Sequence, residues 1–145
     1  GAREVAAALK TNTTLTSLDL RDNGIGDEGA KEVAAALKTN TNTTLTSLYL
    51  SMNDIGDEGA KEVAAALKTN TTLTSLHLSN NGFGDAGARE VAAALKTNTT
   101  LTSLNLSYVE ASVGDQIQGY LVRNAQATDL FARERDAEEG PRKKP

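Results

Sequence analysis

Hydrophobic and polar positions along this chain obey two rules in alternation. In Leu15-Thr-Ser-Leu-Asp-Leu20 the apolar residues Leu18 and Leu20 fall on one side of a two-residue period. Ser17, Asp19 and Arg21 fall on the other, which predicts a short strand. Beyond Asn23, Gly24, Ile25 and Gly26 the period lengthens: Ala30, Val33, Ala34 and Leu37 recur at i, i+3, i+4 and i+7, the stripe of an amphipathic helix. Asp27 is the residue expected to cap that helix. Asn40, at the end of Lys38-Thr-Asn40, suits a left-handed C-terminal cap.

The strand-plus-helix unit then repeats. The stretch 15–40 returns as 45–70 and 73–98, a fourth copy begins at Leu101, and a half copy with no strand occupies Gly1 to Asn12. The copies are offset by 30, 28 and 28 residues, the longer first step reflecting a duplicated Thr-Asn within Thr39–Thr44. A strand followed by a helix and a further parallel strand makes a right-handed βα crossover, and stacked units give one parallel sheet. Strands pack about 4.8 Å apart whereas helices need about 8–10 Å, so the stack must curve toward its strands. The expected fold is therefore an α/β right-handed βα solenoid with a concave parallel sheet and convex helices. Each unit exposes two faces that only its neighbours cover, so stability belongs to the array.

The pattern L-x-x-L-x-L-x-x-N in Leu15–Asn23, Leu45–Asn53 and Leu73–Asn81, joined to a helical repeat of this length, resembles the leucine-rich repeat of the ribonuclease-inhibitor type. The resemblance covers residues 1–124 and implies a horseshoe segment. It further implies that Asn23, Asn53 and Asn81 form a buried ladder, each bonding backbone groups of the neighbouring turn. Val109 takes that place in the fourth copy, so the ladder should end there.

The two ends differ. Ile117, Leu121 and Asn124 correspond to Val33, Leu37 and Asn40 in a degenerate last repeat, with Gln118 and Arg123 on what should be a capping surface. Residues 125–138 are expected to form a capping helix whose Leu130 and Phe131 cover the last open core, and 139–145 a polar, frayed tail. At the other end the half copy 1–12 leaves strand Leu15–Leu20 as an unpaired edge. The sequence reads as cut from a longer protein, with homo-association through the uncapped N-terminal edge as the alternative.

Composition narrows the function. The net charge of −4 and pI near 5.0 argue against nucleic acid and anionic membrane as partners. The longest apolar run, Val33–Leu37 and its copies, is far too short to span a bilayer. The absence of cysteine removes disulfides, thiolate metal sites and Cys nucleophiles. No cofactor or metal site is suggested, and a cytoplasmic location is expected.

Aromatic residues supply only 3% of the chain, so their placement is informative. The three full copies differ in seven columns. Four are mild or lie elsewhere: Gly24/Asp54/Gly82, Ile25/Ile55/Phe83, Glu28/Glu58/Ala86 and Lys31/Lys61/Arg89. The other three lie in the strand and its exit: Asp19/Tyr49/His77, Arg21/Ser51/Ser79 and Asp22/Met52/Asn80, continued in the fourth copy by Asn105, Ser107 and Tyr108. By the two-residue period the first two of these face the concave side and the third its rim. Drift of exposed residues would also vary these columns, but Glu32, Ala35 and Lys38 and their copies, on the helix exterior, do not vary. A fixed scaffold displaying a variable binding face is the better reading, with Tyr49, Met52, His77 and Tyr108 as anchors. The column Ser17, Ser47, Ser75 and Ser103 keeps a groove open beside them.

Catalytic readings are weak. His77 is the sole histidine, expected about 5 Å from Tyr49 and Asn105 but about 10 Å from Asp19. A Ser-His-Asp assignment with Ser75 or Ser79 would need contacts a strand ladder does not supply. Gly26-Asp-Glu-Gly29 lacks the Gly-Lys-Ser/Thr of a phosphate loop, and its glycines suit close packing between layers. Asn12, Asn42, Asn70, Asn98 and Asn105 each begin an N-x-S/T sequon, but for the first four a repeated Asn-Thr-Thr turn explains the spacing. Arg142, Lys143 and Lys144 form a basic tail too brief to identify as a targeting signal. The function expected is a non-enzymatic protein–protein interaction module. The alternatives are regulation of a small GTPase, since GTPase-activating proteins for Ran share this fold class although none of their functional motifs maps here, or a self-associating structural array.

Overall fold

The computed structural model describes residues 1–39 and 44–139, the side chains of 131, 132 and 136–139 excepted. Helix α1 (Ala2–Leu9) is followed by four βα units: β1 (Ser17–Asp19) with α2 (Gly26–Lys38), β2 (Ser47–Tyr49) with α3 (Asp57–Leu67), β3 (Ser75–His77) with α4 (Asp85–Ala94), and β4 (Ser103–Asn105) with α5 (Ala111–Glu139). The strands form one parallel sheet in the order β1-β2-β3-β4. Its register puts Ser17, Ser47, Ser75 and Ser103 in one row and Asp19, Tyr49, His77 and Asn105 in another. The α/β solenoid expected from the alternating periods is the fold observed.

The helical stripe does what its spacing requires: Ala30, Val33, Ala34 and Leu37 are buried against Leu45, Leu48, Leu50 and Ile55 in one continuous core. Glycine brings the helices together. A Cβ on Gly59 would stand 3.2 Å from Ala30 Cβ, and one on Gly87 would stand 3.0 Å from Ala60 Cβ. Any larger residue there would force adjacent helices apart.

Asparagine joins one turn to the next. Asn53 Oδ1 accepts the backbone N–H of Asn23 at 2.9 Å and that of Ile25 at 3.4 Å, while its Nδ2 donates to the carbonyls of Leu20 and Leu50. Asn81, half-buried rather than buried as expected, repeats this arrangement toward Asn53 and Ile55. Asn23 departs from the expected burial. It is exposed at the open end and donates within its own turn, to the carbonyls of Leu20 and Arg21.

A second ladder runs through the helix ends. Asn70 Oδ1 accepts the N–H of Thr72 and Leu73, and Asn98 Oδ1 those of Thr100 and Leu101, the turn geometry that explains the Asn-Thr-Thr repeats. Their Nδ2 groups bond the carbonyls of Leu37 and Leu67 in the preceding unit. Neither Asn70 nor Asn98 has a positive φ, so these amides close the helix ends through side-chain bonds rather than a left-handed cap. Asn40, where such a cap was expected, lies outside the described residues.

Asp27 caps a helix, but not its own. Its Oδ1 accepts the N–H of Gly56 at 2.7 Å and of Gly59 at 2.9 Å, at the start of α3. Asp57 does the same for Gly84 and Gly87 at the start of α4. The starts of α3 and α4 are therefore satisfied from the unit before each. The solenoid brings a neighbouring carboxylate closer to the free N–H groups than the local chain can.

The C-terminal end differs from expectation in one respect. Val113, Ile117 and Leu121 of α5 close the core, and the Arg123 guanidinium donates to the carbonyls of Leu95 and Asn98, both at 2.8 Å. Helix α5 then continues without a break past residue 124, and Leu130 is 56% exposed rather than packed on the core. The core is already sealed one turn after Ile117, and at about 1.5 Å per residue the rest of this helix outruns the layer beneath it. The Phe131 side chain and the tail beyond Glu139 lie outside the described residues.

Candidate binding face

Period-two alternation in four short strands places the varying column on the concave sheet surface. Leu18, Leu48, Leu76 and Leu104 point inward, so Asp19, Tyr49, His77 and Asn105 must point out. Tyr49 and His77 occupy adjacent strands and stack, with ring centroids 4.5 Å apart and planes inclined by 17°. That separation is close to the spacing of strands, so the rings stand on the sheet face to face. The Arg21 guanidinium lies 5.4 Å from the Tyr49 centroid, on the β1 side. Arg21 is itself held by a bidentate pair with Asp19, whose carboxylate it approaches at 2.6 Å. The guanidinium bond holds the exposed Asp19 carboxyl below its ordinary pKa, and the carboxylate correspondingly raises that of Arg21.

The next column outward is less open than the period implies. Ser51 is only 6% exposed and shares a hydrogen bond with Ser79 at 3.0 Å. It is a buried rung, which corrects its expected place among the contact residues: it sits between neighbouring turns, its carbonyl accepting the Asp22 N–H and its hydroxyl meeting Ser79. Ser107 is exposed and its hydroxyl accepts the Asn80 N–H.

The rim column is set by backbone conformation. Asp22, Met52 and Asn80 have φ of 56°, 58° and 57°, the left-handed region that disfavours side chains other than Asn and Asp. This turn lifts Met52, 47% exposed, out of the core. Tyr108, at the equivalent place in the last copy, is 95% exposed.

The face thus brings Asp19, Arg21, Tyr49 and His77 into one connected cluster, with Asp22, Met52, Asn80 and Tyr108 along its rim. Asn105 and Ser107 lie at its β4 edge. The Arg21–Tyr49–His77 series had no signature along the chain, because residues 28 apart become neighbours only through the register. Catalysis gains one contact and lacks the rest: Ser75 Oγ lies 3.2 Å from His77 Nε2 on the same strand face, but the Asp19 carboxylate is two strands away and occupied by Arg21.

The model of the tropomodulin/leiomodin leucine-rich domain matches residues 2–127. The chain belongs to that family. Among solved structures, leiomodin-1 actin-binding site 2 is similar at 31% sequence identity, covering 94% of this chain and 80% of that one with a TM-score of 0.84. The tropomodulin C-terminal domain of Caenorhabditis elegans is similar in fold, at 14% identity and a TM-score of 0.60, over 92% of this chain and 98% of that one. No curated protein sequence matches. Family membership bears out the leucine-rich repeat reading and places the chain among protein-binding modules. No helix among the described residues is long and apolar enough to cross a membrane.

Proposed function

We propose that this leucine-rich domain is a non-enzymatic actin-binding module that engages its partner through the concave sheet. The observation that carries the site is the connected Arg21–Tyr49–His77 cluster beside the lifted Met52. The varying side chains meet one another there, on a scaffold that otherwise repeats itself. The partner follows from the 31% identity to leiomodin-1 actin-binding site 2 over nearly the whole chain. Tyr49, Met52 and Arg21 are of the residue types enriched at interface centres. Four strands span about 15 Å across their three gaps, so the face is at most one side of a standard interface, about 800 Å². Micromolar rather than nanomolar affinity is expected.

Fluorescence anisotropy of the labelled domain against monomeric actin tests this. Wild type should bind, and the combined Tyr49→Ala, Met52→Ala, His77→Ala and Tyr108→Ala variant should bind at least about tenfold more weakly, the equivalent of roughly 1.4 kcal/mol. Equal binding by the two proteins would remove the concave face from the proposal, and absence of binding by wild type would remove actin.

A further inference from the structure

The stack on the concave face is unfinished. Across β1, β2 and β3 it reads guanidinium, phenol, imidazole: Arg21 covers the β1-side face of Tyr49, and Tyr49 covers the β2-side face of His77. The register continues to Asn105 on β4. There the side chain ends at an amide, shorter than a ring, so among the described residues no ring lies against the outer part of the β4-side face of His77. Asn105 is exposed and, among the described residues, its side chain makes no hydrogen bond. Ser103 and Ser107, also exposed, stand before and after it along the strand. The position is one strand spacing from His77, about 4.8 Å, which matches the separation at which aromatic rings stack.

We infer that this gap above Asn105 is a receptor for one aromatic side chain of the protein partner, which completes the stack as its fourth member. The chemistry selects a ring over a second guanidinium. A partner ring would stack on the flat imidazole as Tyr49 already does on its other face, whereas a guanidinium would add a second cation to a stack that carries one. The opposite end of the stack already carries its cation, Arg21. The low serine flanks leave room for a bulky ring. The inference rests on the concave-face reading and specifies which partner group that face takes.

Because His77 is the sole histidine, its two ring C–H protons form an isolated NMR reporter of this gap. Titration of the wild-type chain with N-acetyltryptophanamide should move both signals upfield and saturably, while N-acetylleucinamide should not. Asn105→Tyr, which fills the gap from within, should shift the His77 signals upfield without ligand and abolish the response. Asn105→Ala should retain it. The upfield His77 position also reports that Asn105→Tyr is folded. No response to the tryptophan amide, an equal response to the leucine amide, or a response to N-acetylargininamide in its place would overturn the assignment. Against monomeric actin, Asn105→Tyr should bind at least about tenfold more weakly than wild type. Equal binding by both would overturn the gap and leave the actin reading standing. If wild type fails to bind actin, the actin reading falls and the amide titration still decides the gap.

Discussion

At Met52 an L-residue holds φ of 58° while nearly half its surface faces solvent. The left-handed conformation costs an ordinary side chain about 1–2 kcal/mol, and glycine almost nothing. Exposure means that removing the thioether forfeits little packing. Met52→Gly should therefore raise stability by about 1 kcal/mol, read as a higher urea midpoint at unchanged slope, and should weaken actin binding in the same protein. The equivalent Asn80→Gly should gain only a few tenths, since Asn tolerates this conformation. A loss of stability in Met52→Gly would mean that the side chain packs where it stands. Strain retained at an exposed apolar residue is what a binding surface requires and a passive one does not. The alternation of Leu with polar residues was enough to put Tyr49 and His77 on the open face. It could not indicate the raised rim, because hydropathy carries no information about φ. Only Asp22 and Asn80, residues that favour this backbone, hinted at it. Nor could it indicate that Ser51 is buried, since that follows from its place between neighbouring turns rather than from the pleat.

Between elements, cohesion depends on amides and carboxylates that reach across the repeat boundary. Asn53, fully buried, accepts from two backbone N–H groups and donates to carbonyls of its own turn and the preceding one. Truncation strands several buried polar groups at about 1–3 kcal/mol each. Asn53→Ala should thus cost at least about 3 kcal/mol, whereas Asn23→Ala should cost at most about 1, because water reaches the groups it leaves. Chemical denaturation of the two variants in parallel checks the ratio, and equal costs would deny the ladder its role. The asparagine ladder was legible because the residue recurs at a fixed place in a recognisable pattern. The capping by Asp27 and Asp57 was legible only in part. Capping rules are written for residues adjacent in sequence and correctly marked Asp27 as a cap. Only the stacked geometry reveals that the N–H groups it satisfies belong to Gly56 and Gly59.

For the molecule as a whole, the repeat makes the core continuous and leaves its ends unequal. Leu45, Leu48, Leu50 and Ile55 are at most 1% exposed, while their counterparts Leu15, Leu18, Leu20 and Ile25 are only partly covered. Beside them a cavity of about 470 Å³ opens among Gly1, Ala2, Glu4, Val5, Leu20, Asn23 and Ile25. At the opposite end Val113, Ile117 and Leu121 are at least 94% covered, and Arg123 satisfies the carbonyls of Leu95 and Asn98 just beyond α4. In a linear array each unit is held mainly by its nearest neighbours, so opening starts where the core is least covered. Native-state hydrogen exchange should give the strongest protection in β2, β3 and α3, with α1 and β1 opening first. Arg123→Ala should lower protection in α5 and α4 while leaving α1 unchanged. Uniform protection along the chain, or loosening of α1 by the distant Arg123 change, would refute this nearest-neighbour account. Repeating the exchange at tenfold higher protein concentration examines the N-terminal face as a self-association surface: protection rising only in α1 and β1 would place a second copy there. Unchanged protection would leave the concave sheet as the molecule's one proposed contact surface, and the exchange slowed there by bound actin would then map it strand by strand.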